Sequence, residues 1–355
     1  MFPPIGLSLF SFGYLGGFSR KEEERACPAI SLAQLIDLAQ IHGLSGIEIP
    51  LVRCIPDFSP VALSQLKERL AANRFFLSID AEVIDEDSFS DILKAASESG
   101  ERFVRAKLSK TLGGNRYLTG LDPGEWFAGT VRRLKRAAAL ARQWKLSIAI
   151  ENHQDVTSEE LVRLIEEIGS DTLKVNLDTG SVLATCEDPV KFAETVGPYL
   201  QNIHLKDYRL VRGLHGFRLV RCALGSGVVD FDRIFRAVRA RASSDVRASI
   251  ELGAVVAREV HWQKPAYWRA YPSRAAAELA GFLEIFSDQI ESDTAAWQTP
   301  WEQGQSHEAK EQIELKELFM SVEFLKSLGA PVSPRLARPL VSLAEISSHK
   351  TAEVC

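Results

Sequence analysis

No run in the chain reaches the roughly 18 continuous apolar residues that a membrane span needs, and its five cysteines, Cys27, Cys54, Cys186, Cys222 and Cys355, include no C-x-x-C pair. The first absence excludes a bilayer-spanning helix. The second, in an odd and scattered set, argues against a disulfide frame or zinc knuckle and for reduced thiols. An excess of positive charge is also missing: 42 Lys and Arg against 47 Asp and Glu leave a net charge of -5, with no global attraction to nucleic acid phosphates. The N-terminal MFPPIGLSLFSFGYLGG is apolar, but no basic segment precedes its apolar part. It reads as a first strand rather than a secretion signal, and a cytoplasmic protein is expected.

What is present is a regular alternation. Eight short apolar runs, IGLSLFSF, SGIEIPL, RFFLSIDAEV, RFVRAKLS, LSIAIE, LKVNLD, LQNIHLK and RASIEL, are separated by stretches of helical period. In SLAQLIDLAQIHG, for example, Leu32, Leu35, Ile36 and Ala39 share a face, Ser31 is placed to cap and Gly43 to stop the helix. Ser59-Pro60, Thr157 with Glu160, and Asp188-Pro189 repeat the start signal. Strand and helix in alternation imply a parallel sheet, and eight repeats imply closure into a (β/α)8 TIM barrel, an α/β fold. A doubly wound open sheet competes, but FGYLGGFS lacks the G-x-G-x-x-G spacing that opens such folds. The expected division is a barrel over residues 1–290 and a C-terminal helical extension over 291–355. In that extension EAKEQIELKELFMSVEFLKSLG has helical period, and Trp297 and Trp301 suit packing on the barrel or across a homodimer.

Barrel enzymes take catalytic side chains from the C-terminal ends of their strands. The last four runs end in Glu151, Asp178, His204 and Glu251. Three carboxylates and one imidazole converging on one point suit a hard divalent cation, Mn²⁺ or Mg²⁺ first, with Co²⁺ or Zn²⁺ also acceptable. The competing reading makes each an ordinary capped or ion-paired side chain in its own loop.

The motifs IENH, NLDTGS, IHLKD, GSGVVDF and IELG, in this order, resemble those of the xylose-isomerase-like barrel superfamily of sugar isomerases and epimerases, over residues 5 to 290 or so. The resemblance implies that Glu151, Asp178, His204 and Glu251 are metal ligands and that Glu151 and Glu251 form the acid/base pair. Many relatives carry histidine after D-T-G, where this chain has Ser181, a substrate-binding candidate. The three-zinc DNA-repair endonuclease branch needs further histidines, and the ends of runs two to four contain none, so no nucleic acid partner is expected.

A cation held by these ligands leaves room for two adjacent oxygens of a hydroxy-carbonyl substrate and stabilises an enediolate. The expected activity is therefore isomerisation or epimerisation of a small keto sugar, sugar acid or sugar phosphate through a metal-bound enediolate. Decarboxylation of a β-keto sugar acid by the same intermediate is one alternative, and a non-catalytic sugar-binding relative is another. Lys206, two residues beyond His204, points to the same side and is a candidate acid or carboxylate holder, with a salt bridge to Asp207, Asp178 or Glu251 as the structural alternative. The stretch from Lys206 to Arg221 reads as a long basic loop, in which Arg218 and Arg221 could clamp an anionic substrate. His153 is a further substrate-binding candidate, and HWQKPAYWRAYP could form a lid or pack.

Overall fold

The computed structural model describes residues 2–18, 29–55, 58–84, 87–243, 245–294 and 296–346; Cys27 and Cys355 lie outside them. Within these residues Cys54, Cys186 and Cys222 are free thiols, as expected. No described helix is long and apolar enough to cross a membrane.

Eight parallel strands close into a barrel: β1 (Ile5–Ser8), β2 (Gly46–Pro50), β3 (Phe76–Val83), β4 (Phe103–Lys107), β5 (Ser147–Glu151), β6 (Leu173–Asp178), β7 (Leu200–Leu205) and β10 (Arg247–Ile250). These are the eight runs read from the sequence. Helices connect them, among them α1 (Leu32–Ile41), α3 (Pro60–Asn73), α5 (Pro123–Gln143), α6 (Ser158–Ile168), α7 (Pro189–Val196) and α8 (Phe231–Arg241). The start signals act locally. Ser31 with Gln34, and Thr157 with Glu160, form reciprocal capping boxes, while Asp188 and Asp230 each accept a backbone N–H of the helix they open.

Alternation along the strands sorts the side chains. Ile148 and Ile150, Val175 and Leu177, Ile203 and Leu205, and Ala248 and Ile250 are buried and belong to the hydrophobic core. Each large aliphatic group so buried contributes roughly 1.5–3 kcal/mol. The intervening positions face the lumen, and apart from Ala149 they are polar: Asn176, His204 and Ser249. Asn202 of β7 donates both to Asn176 of β6 (2.7 Å) and to Glu48 of β2 (3.1 Å). β7 and β2 are not neighbours in the sheet, so the second contact crosses the barrel interior. A strand wrapped on both sides can thus end in a carboxylate because its inner face is the polar one.

The stretch expected as a basic loop is instead a hairpin, β8 (Tyr208–Gly213) and β9 (Gly216–Arg221), extended by β11 (Arg258–Val260) antiparallel to β9 and by β12 (Ile290–Glu291) parallel to β8. Four arginines conceal its apolar positions, yet Tyr208, Leu210, Val211, Phe217, Leu219 and Val220 are all buried. The helical stretch of the extension forms α11 (His307–Ser327). Its Glu314 accepts N–H bonds from Tyr14 (2.8 Å) and Leu15 (2.9 Å), and its Ser321 accepts one from Leu224 (3.0 Å). The segment after β1, the hairpin sheet and α11 therefore brace one another. Trp297 and Trp301 lie under the guanidinium groups of Arg218 and Arg221, on the chain's own sheet. The aromatic stretch packs in part as α9 (Pro265–Arg269). Tyr267 and Tyr271 are buried and donate to the carbonyls of Ala184 (2.5 Å) and Gly114 (2.9 Å).

Candidate metal centre

Glu151 and Asp178 are the last residues of β5 and β6, His204 is the penultimate residue of β7, and Glu251 follows β10 directly. Register keeps these ends level: Asp178 pairs with His204, and Ser249 with His204. One donor atom from each of Glu151, Asp178, His204 and Glu251 lies within 4.8 Å of all the others. All four are buried.

Their surroundings fix the orientation of each. Asn152 grips the backbone of Asp178, donating to its carbonyl (3.0 Å) and accepting its N–H (2.7 Å). The N–H groups of Gly180 and Ser181 donate to Asp178 Oδ1 at 3.1 and 2.9 Å. His204 Nε2 sits 2.7 Å from Glu48 Oε1, while Nδ1 faces Glu251 (2.9 Å) and Glu151 (3.5 Å). Glu48 thus stands on the Nε2 side of His204, opposite Glu151 and Glu251 at Nδ1, where a carboxylate can orient an imidazole.

Three groups that the sequence reading did not single out complete the cluster: Glu48 on β2, Asp80 on β3 and Arg105 on β4. Arg105 is buried at ion-pair distance from Asp80 (3.0 Å), Glu151 (3.0 Å), Glu251 (3.4 Å) and Glu48 (3.8 Å). A charged residue in the middle of SGIEIPL, LSIDAEV or FVRAK was the available signal, since a charge inside a barrel strand must face a polar lumen. Lys206 Nζ contacts Asp178 (3.0 Å) and Glu251 (2.5 Å), two of the three partners considered for it. The third, Asp207, accepts backbone N–H bonds from Tyr208, Gly225, Gly227 and Val229 instead.

The electrostatics follow from this packing. Burial opposes ionisation of Glu151 and Glu251, but Arg105 and His204 outweigh it at Glu151, as His204 and Lys206 do at Glu251, and both carboxyls lie below their ordinary range. Asp80 is pushed up to about 6 by burial, which Arg105 only partly offsets. Burial also raises Asp178 despite Lys206. His204 and Lys206 lose solvation, yet the carboxylates around them raise both well above their usual values.

The remaining candidates are placed as follows. Ser181 is buried next to Asp178, with its hydroxyl unpartnered. His153 lies beside Glu151 with its Nδ1 enclosed and unpartnered; burial first, then the positive charges of Lys107, Lys206 and Arg258, lower it to about 3 against the pull of Glu151. Arg218 and Arg221 are engaged away from the cluster. Arg218 pairs with Glu259 at 2.6 Å, and Arg221 with Glu317 (2.6 Å) and Glu314 (3.8 Å) of α11. Their guanidinium groups brace the hairpin sheet because those carboxylates reach them first.

Residues 36–270 match the model of the xylose isomerase-like TIM barrel family, and the chain belongs to that family. Among known proteins it is similar to the 3-oxo-isoapionate decarboxylase of Pectobacterium atrosepticum, with 22% identity over 237 residues covering 66% of this chain and 80% of the relative. Its fold is similar to that of the probable 3-DHS dehydratase AsbF of Bacillus anthracis, with a TM-score of 0.54 and 17% identity over 80% of this chain and 98% of the other. It is also similar in fold to a D-tagatose 3-epimerase-like protein, with a TM-score of 0.53 and 16% identity over 80% and 98%.

Proposed function

We propose that the chain is a divalent-metal-dependent enzyme of the isomerase and epimerase type, acting on a small keto sugar, sugar acid or sugar phosphate through an enediolate. The carrying observation is the convergence of Glu151, Asp178, His204 and Glu251 within 4.8 Å. Both oxygens of Glu151 and both ring nitrogens of His204 are buried without a well-aligned hydrogen bond, as expected of groups that want a cation rather than a proton donor. Three carboxylates and an imidazole suit Mn²⁺ or Mg²⁺, then Co²⁺ or Zn²⁺. When bound, such a cation polarises a substrate carbonyl and stabilises negative charge on its oxygen.

The chain's own residues do the rest. Glu48 orients His204, and Arg105 holds Glu151 and Glu251 ionised and in place. One of these glutamates takes a proton from the carbon beside the carbonyl, and the other side of the site returns one, which isomerises or epimerises the substrate. Burial of the cluster keeps bulk water from the enediolate.

A second reading, decarboxylation of a β-keto sugar acid, is favoured by Lys206. Its buried ammonium is at 2.5 Å from Glu251, where it offsets that group's basicity and is placed to protonate the carbanion left by CO₂. The decarboxylase relative agrees with this reading. Incubating metal-loaded protein with a panel of keto sugars and keto acids in D₂O separates the two. Deuterium in recovered substrate without gas supports isomerisation, and CO₂ in the headspace supports decarboxylation. Absence of both, with a Glu251→Gln variant indistinguishable from the parent, would return the chain to the non-catalytic class.

A further inference from the structure

Arg218 and Arg221 are occupied by glutamates, and the ammonium of Lys206 is shared between Asp178 and Glu251. Two other cations at the barrel mouth are not so occupied. Lys107 ends β4 in register with Glu151. It stands two residues after the inward-facing Arg105, so it points to the same side. Its Nζ lies over the Phe10 ring at 5.7 Å, next to Arg105 over the same ring at 5.6 Å. Arg258 opens β11, where the next residue, Glu259, turns outward to Arg218. Alternation then turns Arg258 the opposite way, toward the mouth. Among the described residues neither Lys107 nor Arg258 has an ion-pair partner within 4.0 Å, and Arg258 Nε is buried without a hydrogen bond. His153 stands two residues past Glu151, the partner of Lys107 in the sheet, and its Nδ1 is also buried and unpartnered.

Lys107 and Arg258 are half-buried, and buried polar atoms left unpaired, here Arg258 Nε and His153 Nδ1, are unfavourable unless a ligand supplies their missing partners. We infer that Lys107, Arg258 and His153 form a subsite for an oxyanion carried by the substrate, a carboxylate or a phosphate, next to the carbon at which Glu151 acts. The planar fork of Arg258 offers two parallel donors, and Lys107 a point charge. This rests on the function proposed above and narrows its substrates to sugar acids and sugar phosphates.

Calorimetric titration of Mn²⁺-loaded protein with D-gluconate, D-glucitol 6-phosphate and uncharged D-glucitol tests it. At least one anion is expected to bind ten-fold or more tightly than glucitol, and the better of the two identifies the group the subsite takes. Because the cation itself attracts anions, the deciding arm is the variants. Lys107→Met and Arg258→Met should each reduce the preference for the anion by ten-fold or more, with manganese content unchanged. Anion affinity no higher than that of glucitol, including no binding of any probe, overturns the inference without needing a folded variant. So does a preference that survives in both substitutions. Deuterium exchange into a neutral keto sugar would leave the proposed function standing while removing the subsite.

Discussion

Arg105 is buried and faces carboxylates on β2, β3 and β5 and at the end of β10. Removing one member of a buried ionic cluster leaves the others uncompensated, which typically destabilises by about 3–5 kcal/mol. Arg105→Met should show a loss of that order in urea unfolding, and a loss under about 1 kcal/mol would mean that the cluster is not held by this charge. Glu48 reaches Asn202 and Arg105 as well, but its shortest contact is with Nε2 of His204, at 2.7 Å. Replacing a carboxylate behind a metal-binding imidazole usually lowers metal affinity by about 10–100-fold. Glu48→Gln, which keeps shape and an acceptor, should lose less than Glu48→Ala when Mn²⁺ binding is measured directly. Equal affinity in all three proteins would show that His204 needs no such support.

At the scale of elements, α11 is tied to the turn after β1 by one buried carboxylate, Glu314, which accepts two backbone N–H bonds and faces Arg221. Burial pushes Glu314 up to about 7, against Arg221 and the N–H groups of Leu15 and Tyr14. Its folded value lies above the unfolded one, so the folded state binds the proton more tightly. The resulting stability is complete below about pH 4.5 and is lost as pH rises through 7. Over that window the term is on the order of 3 kcal/mol. The parent should therefore lose stability between pH 5 and pH 8 more steeply than Glu314→Gln; parallel curves would refute the assignment. A second joint is Gly253, where a Cβ would run into the carbonyl oxygen of Phe10. Gly253→Ala should shift the Phe10 turn and lower the melting temperature, whereas Gly281→Ala, with nothing in reach of the new carbon, should not. The barrel elements were legible because a period of two in runs such as LSIAIE and a cap-proline start such as Asp188-Pro189 are local signals. The hairpin was not, because arginines three residues apart in each strand break the period of two and its apolar residues are buried only once β11, β12 and α11 cover them. In the same way the three carboxylates and the imidazole at the ends of the last four barrel strands could be noticed in a line of sequence. Glu48, Asp80 and Arg105 matter only after closure brings β2, β3 and β4 across the lumen.

For the whole molecule the governing quantity is charge at the centre of the barrel. Glu48, Asp80, Glu151, Asp178 and Glu251 confront Arg105 and Lys206 as the permanent cations, with His204 as a third when protonated. The carboxylates outnumber the cations even then, and burial magnifies the repulsion among them. A divalent cation would relieve that excess, and if it binds the folded state alone, at 100 times its dissociation constant it should add about 2.7 kcal/mol of stability. Treating the protein with a chelator should lower its melting temperature by several degrees, and returning Mn²⁺ should restore it. The carboxylates raise His204 well above its usual value, so its imidazole holds a proton that a cation bound there would displace. Binding should therefore release protons and strengthen as pH rises. Titrations in buffers of different ionisation enthalpy measure that proton count directly. If Mn²⁺, Mg²⁺, Co²⁺ and Zn²⁺ all leave both the melting temperature and the proton count unchanged, Arg105, Lys206 and His204 are sufficient counter-ions and the cluster is structural.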